Sequence, residues 1–287
     1  MKIGVMIDSL RLPLREGIHA AGELGAEGLQ MYAVSGEMSP ESLGQAARHE
    51  LASYIRSEGL VVAAICGDLG GHGFCVEADN PARIDRSKRI MDLAKELGSD
   101  VVTTHIGVIP EDDGDPQYAV LHEACTRLGE FADSMEASFA VETGPEPAAR
   151  LGRFIRSLPC NGVRVNFDPA NLVMVIGEDA AAAVEEVGDL IVHTHAKDGV
   201  MLKKTDPSII YRAFAEGGVE GFSVDDWFRE VPLGEGAVDF PRYLDALRSI
   251  GYEGFLTIER EVGDQPREDI GAAVEFLRKA RRQEEIL

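Results

Sequence analysis

The chain has 287 residues, of which 45% are hydrophobic and 27% charged, so it can bury a sizeable core and a disordered chain is excluded. Its 28 basic and 50 acidic residues give a formal net charge of -22, which disfavours nucleic acid as a partner. We expect no membrane association and a cytoplasmic location, because the first residues lack a signal-peptide pattern and no apolar run could span a bilayer. The four cysteines lack paired spacing and are expected to be reduced.

Eight short β-branched or apolar segments predict strands, and amphipathic stretches between them predict helices. In chain order these strands cover residues 2–8, 28–33, 60–67, 100–107, 138–143, 162–168, 190–196 and 254–261. Alternation of strands and helices is typical of a parallel sheet. No phosphate-binding glycine turn follows the first strand, and polar residues end several strands. We therefore predict an α/β fold in which residues 1–287 form a single (β/α)8 TIM barrel.

One connection is much longer than the others and covers residues 197–233, after the seventh predicted strand. Its aromatic residues are Tyr211, Phe214, Phe222, Trp227 and Phe228. A long βα segment with aromatic side chains predicts a lid or a substrate-binding flap over the barrel mouth. The alternative is an extra helix that packs against the barrel.

Carboxylates and histidines end the later strands. Glu142, Asp168 and Glu259 each lie on the strand face opposite their apolar neighbours, which directs them toward the barrel mouth. Three converging carboxylates would repel one another unless a cation neutralised them. His193 and His195 share a face of the seventh strand, and we choose His195, nearer the rim, as a fourth ligand, although the two roles could be exchanged. The sequence thus predicts a divalent metal site, with a metal-free acid/base cup as the alternative.

A resemblance to a known family is carried by the fragments AVETGPE, VNFDPANL, HTHAKDG, PLGEG and GYEGFLTIERE. Over nearly its whole length the chain resembles the xylose isomerase-like barrel superfamily, in the branch of sugar and sugar-phosphate isomerases and epimerases that includes ketose 3-epimerases and inosose dehydratases. The resemblance implies that one divalent ion, manganese, magnesium or cobalt rather than zinc, is bound by Glu142, Asp168, His195 and Glu259. It also implies a small sugar-like substrate and allows a homodimer.

The chemistry implied by the resemblance is proton transfer at a carbon beside a carbonyl. Glu142 and Glu259 would act as the acid/base pair on opposite faces of the substrate, through an enediolate that the metal stabilises. Two departures weaken the narrower label of a free-ketose epimerase. Asn171 stands where those enzymes have a substrate-contacting histidine, and the arginine that they carry shortly after the strand-seven histidine is missing.

Further residues near the strand ends are candidates for substrate binding, together with Asn171 and the deeper His193. His105, at the end of the fourth strand, and His72, in a glycine-rich segment, could hydrogen-bond hydroxyls, although His72 could equally lie in solvent. Glu146 could orient the substrate or lie on the surface. Lys197 could place positive charge near an oxyanion or a substrate phosphate, or could form a salt bridge with its neighbour Asp198.

Three other functions compete with the isomerase or epimerase. A lyase or dehydratase acting on a keto-sugar or inosose needs the same proton abstraction followed by loss of a leaving group. A barrel endonuclease with three zinc ions is disfavoured by the net charge of -22. A non-catalytic sugar-binding barrel would not need an acid/base residue on each face of its ligand.

Overall fold

The computed structural model describes residues 1–217 and 223–282. The strands are β1 Lys2–Met6, β2 Gly28–Tyr32, β3 Val61–Cys66, β4 Val101–Thr104, β5 Ser138–Glu142, β6 Val163–Phe167, β7 Ile191–Ala196, β8 Asp198–Met201, β9 Phe228–Val231 and β10 Phe255–Ile258. The helices are α1 Leu14–Leu24, α2 Gln45–Ser57, α3 Asn80–Leu97, α4 Pro116–Ser134, α5 Ala148–Ser157, α6 Pro169–Asn171, α7 Ala180–Val187, α8 Pro207–Ala215, α9 Phe240–Ser249 and α10 Pro266–Arg282.

Eight of these strands close a barrel in the order β1-β10-β7-β6-β5-β4-β3-β2, and every pair in it is parallel. The prediction of a (β/α)8 barrel is therefore confirmed. The predicted strands extend beyond the observed ones, since β4 ends at Thr104 and β10 ends at Ile258. His105 and Glu259 consequently lie one residue past their strands, on the rim rather than inside the barrel wall.

The two faces of the barrel strands have different chemistry, as their alternation predicts. Apolar side chains such as Val5, Leu29 and Val165 are fully buried in one hydrophobic core with the apolar faces of the helices. Burying a side chain of this size stabilises the folded state by about 1.5–3 kcal/mol relative to leaving it exposed. Space inside the barrel is tight, because a Cβ on Gly4 would lie 2.7 Å from Oγ1 of Thr257. The helices thus stabilise the barrel from outside and leave its interior for polar groups.

The long connection after β7 forms an antiparallel hairpin of β8 and β9 with α8 between the two strands. Its base is fixed by Asp198, whose carboxylate accepts hydrogen bonds from the backbone N–H groups of Gly234, Gly236 and Val238. These bonds join the HAKDG and PLGEG motifs, which are far apart in the sequence. Phe222 lies outside the described residues, and movement of the segment as a lid stays a prediction.

Two expectations about the chain as a whole can be compared with the structure. Among the helices of the described residues, none is long and apolar enough to cross a membrane. Cys66, Cys75, Cys125 and Cys160 are all free, as predicted, and burial raises the pKa of the Cys66 thiol, which disfavours the reactive thiolate.

Candidate metal centre and active site

Four side chains converge at the carboxyl ends of neighbouring barrel strands. Glu142 is the last residue of β5, Asp168 follows β6, His195 lies within β7 and Glu259 follows β10. One nitrogen or oxygen atom from each of them lies within 4.8 Å of the other three. All four side chains are buried. The structure thus brings together the four residues that the sequence analysis selected, on four consecutive strands of the barrel.

His195 presents Nδ1 to the three carboxylates, at 3.3 Å from Oδ2 of Asp168, 3.4 Å from Oε2 of Glu259 and 3.7 Å from Oε1 of Glu142. Its Nε2 lies 3.2 Å from Oε1 of Gln30, which can only accept a hydrogen bond. In a neutral ring this contact favours a proton on Nε2, which leaves the lone pair of Nδ1 for a cation. Burial opposes a charged imidazole, yet the nearby carboxylates raise the pKa of His195 well above its usual value.

Asp168 is oriented by the short helix that it begins. Its Oδ1 accepts hydrogen bonds from the backbone N–H groups of Ala170, at 2.8 Å, and Asn171, at 3.0 Å. Pro169 occupies the first position of α6, where a residue without an N–H is tolerated. The hydroxyl of Thr143 donates to the carbonyl of Asp168 and accepts from its N–H. The DPAN motif therefore holds one carboxylate oxygen and leaves Oδ2 facing His195.

Glu142 is held by two amide side chains. Asn166 Nδ2 donates to its Oε2 and Asn171 Nδ2 donates to its Oε1, both at 3.0 Å. Burial raises the pKa of Glu142 to about 7, although His195 and His105 lower it. Asn171 was predicted to bind substrate, and here its amide orients a candidate ligand while it also lines the adjoining cavity.

Glu259 is held by the ammonium group of Lys197, whose Nζ donates to Oε2 at 3.0 Å. Lys197 also donates to Glu261 and lies 3.9 Å from Oε2 of Glu230. Burial alone would raise the pKa of Glu259, but Lys197 and His195 outweigh burial and lower it. The predicted alternative of a Lys197–Asp198 salt bridge is wrong, because the Asp198 carboxylate is directed to the loop at 234–238. Lys197 is buried among carboxylates, so its charge is already balanced.

A second group of charges attaches the hairpin to the barrel rim. Glu230 of β9 accepts a 2.6 Å hydrogen bond from Nη1 of Arg260, the residue after Glu259. Nε of Arg260 donates to Oδ2 of Asp269 at 2.8 Å. The same Glu230 carboxylate accepts from the backbone N–H of Glu261. These contacts hold β9 against the strand end that carries Glu259.

His105 follows β4, which borders β5 on the side away from the strands that carry Asp168, His195 and Glu259. Its Nδ1 is 3.0 Å from Oδ2 of Asp68, and its Nε2 is 3.8 Å from Oε1 of Glu142. Burial opposes its charged form, but the Glu142 and Asp68 carboxylates raise the pKa of His105 to about 10. The ring of Tyr211, on α8, lies 5.9 Å from the His105 ring between centroids. His105 thus adjoins the cluster, and Tyr211 joins the long connection to it.

The remaining candidates are placed differently. His193 lies one layer deeper than His195, with Nε2 at 2.9 Å from Oε1 of Gln30 and 3.0 Å from Oγ1 of Thr257. Glu146 is buried, accepts a 3.1 Å hydrogen bond from the N–H of Ile109, and is not among the residues that line the cavity. His72 is exposed and does not line the cavity either. The exposed position of His72 agrees with the alternative prediction that this residue lies in solvent.

A cavity of about 680 Å³ opens above the cluster and is lined by Glu142, His195, Glu259, His105 and Lys197, among others. Several residues near it were missed in the sequence analysis: Gln30, Asp68, Asn166 and Glu230. Only Asn166 carried a usable signal, since it shares the inward face of its strand with Asp168.

A closed parallel barrel with a buried carboxylate and histidine cluster at its carboxyl rim defines a TIM-barrel protein with a candidate metal centre. The family model of the xylose isomerase-like TIM barrel matches residues 18–280, so the chain belongs to this family. Inosose dehydratase from Lacticaseibacillus casei is 26% identical over 151 residues, which cover 51% of this chain and 48% of that protein. The chain thus matches about half the length of this curated relative.

Two solved structures extend the likeness to the full fold. A xylose isomerase domain protein from Planctomyces limnophilus is 25% identical, with a TM-score of 0.79, and the match covers 100% of this chain and 98% of that one. A D-tagatose 3-epimerase-like protein is 18% identical, with a TM-score of 0.73 and coverage of 99% of both chains. Because only 18% of the residues are identical, the likeness to the D-tagatose 3-epimerase-like protein shows a shared fold alone.

Proposed function

We propose that this protein is a divalent metal-dependent isomerase or epimerase that transfers a proton at a carbon beside the carbonyl of a sugar-like substrate. The observation that carries the proposal is the cluster of Glu142, Asp168, His195 and Glu259 beneath one open cavity. Membership of the xylose isomerase-like family supports it, because sugar isomerisation is the chemistry after which that family is named.

The residues present fit a hard or borderline divalent cation. Three carboxylates and an imidazole nitrogen form an anionic donor set of the kind that manganese, magnesium or cobalt accepts, and no thiol joins the four-residue cluster. Gln30 fixes the imidazole with Nδ1 toward the carboxylates. A cation bound by these four residues would polarise substrate oxygens and stabilise the negative charge that develops when a neighbouring carbon loses its proton.

The two glutamates are placed to act from different sides. Glu142 on β5 and Glu259 after β10 are separated in the barrel by β6 and β7, and both line the cavity. Glu142 is held by neutral amides of Asn166 and Asn171, whereas Glu259 is held by the cationic Lys197. Two carboxylates in such unlike surroundings can take different roles, one accepting a proton from the substrate carbon and the other returning one to it.

A dehydratase acting on a keto-sugar or inosose is the second candidate. It needs an additional group that protonates the departing hydroxyl, and His105 provides one on the cavity wall beside Glu142. Asp68 fixes the His105 ring through Nδ1, so Nε2 faces the cavity. The partial likeness to inosose dehydratase agrees with this alternative.

The test is deuterium uptake from heavy water into ketoses and inososes, followed by NMR with manganese present and then chelated. We expect exchange at one carbon that requires the metal and is lost in Glu259→Gln. Glu253→Gln, at an exposed glutamate, is the matched control and should exchange normally. Loss of a hydroxyl in addition to exchange would select the dehydratase. Tight binding without any exchange would reject both enzymes and favour a binding protein.

A further inference from the structure

The cavity above the cluster is larger than one sugar ring requires. Its volume of about 680 Å³ lies in the range of pockets that enclose drug-sized ligands. Of the cluster, Glu142, His195 and Glu259 line the cavity, and they are a small part of its lining.

The cavity is lined by two chemically different kinds of side chain. Polar side chains at or just after the strand ends include Glu142, Glu259, His105 and Asp68. The rest of the lining includes many apolar side chains, drawn from the π-helix at 172–176, the long connection and the segment after β10. These apolar residues are Met174, Val175, Ile210, Phe214, Val224, Phe228 and Val262. Hydroxyl groups alone would leave this apolar surface without a complementary partner.

Two of the apolar residues are among the most exposed large hydrophobic side chains in the described part of the molecule. Phe214 is 59% exposed and Val262 is 47% exposed, and both line this same cavity. Phe214 lies on α8 and Val262 follows β10, so two separate parts of the chain contribute them to the lining. Exposed apolar side chains that meet at one cavity mark a binding surface more strongly than scattered ones do.

The charged side chains of the lining also indicate what the polar end of the ligand carries. Among the described residues, the two buried cations of the lining are already engaged, Lys197 by Glu259 and Glu261 and Arg260 by Glu230 and Asp269. Arg229, the other lysine or arginine of the lining, is exposed. Buried cations that already have carboxylate partners favour a neutral, hydroxylated ligand end over a phosphate.

We propose that the substrate is a keto-sugar glycoside, in which the sugar ring binds over the cluster and an apolar, aromatic substituent on its anomeric carbon packs against Phe214, Phe228 and Val262. This inference rests on the proposed function, since that function places the carbonyl of the sugar at the cluster. An aromatic group offers a large apolar area with few rotatable bonds, which suits a lining that includes two phenylalanines. Because the anomeric carbon carries the substituent, the carbonyl must lie on another carbon of the sugar.

The test compares binding of methyl and phenyl keto-glucosides, with the carbonyl at C2, C3 or C4, to the manganese-loaded protein by calorimetry. We expect at least one phenyl glycoside to bind about 10-fold or more tightly than its methyl counterpart, because the ring buries additional apolar area. Phe214→Ser should remove most of that preference. Since Phe214 is 59% exposed, this variant should keep its fold, which the melting temperature verifies.

Val61→Ser is the matched control, because Val61 is 48% exposed but begins β3 at the opposite end of the barrel. It should leave the phenyl preference unchanged. Equal affinities for the methyl and phenyl compounds, or binding of neither, overturn the inference. Deuterium exchange measured on the same compounds separates the two proposals. Preferential binding of a phenyl glycoside without exchange rejects the proposed function alone, and exchange without a phenyl preference rejects this inference alone.

Discussion

Nε2 of His195 and Oε1 of Gln30 lie 3.2 Å apart, and this contact joins β7 to β2 through the barrel interior. The same oxygen lies 2.9 Å from Nε2 of His193, while Nε2 of Gln30 donates to Oγ1 of Thr103 at 2.9 Å. One amide therefore orients both histidines of β7. Burial, with the neighbouring His195, lowers the pKa of His193 well below its usual value, so His193 stays neutral in this layer.

The first prediction concerns the effect of Gln30 on metal binding. Gln30→Met keeps the side-chain length but removes the acceptor for Nε2 of His195, so Nδ1 is no longer the favoured ligand atom. We expect the affinity for manganese to fall by roughly 10–100-fold, the usual effect of removing an outer-shell partner. Isothermal titration calorimetry measures this change. Gln45→Met, at an exposed glutamine of α2, is the control, and equal losses in both variants would remove any special role for Gln30.

A second prediction concerns Lys197 and its carboxylate partners. Lys197→Met leaves Glu259 and the neighbouring buried Glu230 without this cation. We expect the free energy of unfolding of the metal-free protein to fall by about 3–5 kcal/mol, as for other buried pairs that lose one member. Urea denaturation measures it. Arg267→Met breaks the half-exposed pair with Glu23 and should cost less than about 1 kcal/mol. Similar losses of unfolding free energy in the two variants would contradict the conclusion that Lys197 stabilises a buried group of charges.

Glu146 gives a prediction about pH. Burial raises its pKa to about 8 from an ordinary value of 4.5, and its Oε1 has no hydrogen-bond partner. A raised carboxyl pKa means that the folded state holds the proton more tightly, so this group's contribution to stability is lost as pH rises from about 4.5 to about 8. Glu146→Gln cannot ionise. Its unfolding free energy relative to the wild type should therefore increase by a few kcal/mol between pH 5 and pH 8.5. A difference independent of pH would show that Glu146 ionises freely.

Gly144 and Tyr211 provide a test of how the long connection meets the site. Gly144 has φ of +152°, and a Cβ added to it would collide with the Tyr211 hydroxyl. Gly144→Ala should therefore displace Tyr211 and destabilise the protein, and removing the hydroxyl with Tyr211→Phe should recover part of the loss. We expect a coupling energy of about 1–3 kcal/mol from a double-mutant cycle in urea. Additive effects would show that Tyr211 does not lie against Gly144.

Much of the fold was predictable because each βα unit carries its own periodicity. Strand faces could be read locally, so Glu142, Asp168 and Glu259 were identified from their apolar neighbours. The partners of these residues were not predictable in this way. Gln30 reaches His193 across 163 positions of sequence, and that contact exists only once the barrel closes. For the same reason a salt bridge between Lys197 and its neighbour Asp198 was predicted as an alternative. The actual partner of Lys197, Glu259, lies 62 positions away in the sequence.

The most direct test of the account is to locate manganese in crystals soaked with it, by anomalous scattering. We predict one strong peak enclosed by Glu142, Asp168, His195 and Glu259, with Nδ1 as the histidine ligand, and loss of that peak in Asp168→Asn. A strong peak at another group of side chains, or no peak under saturating manganese, would contradict it.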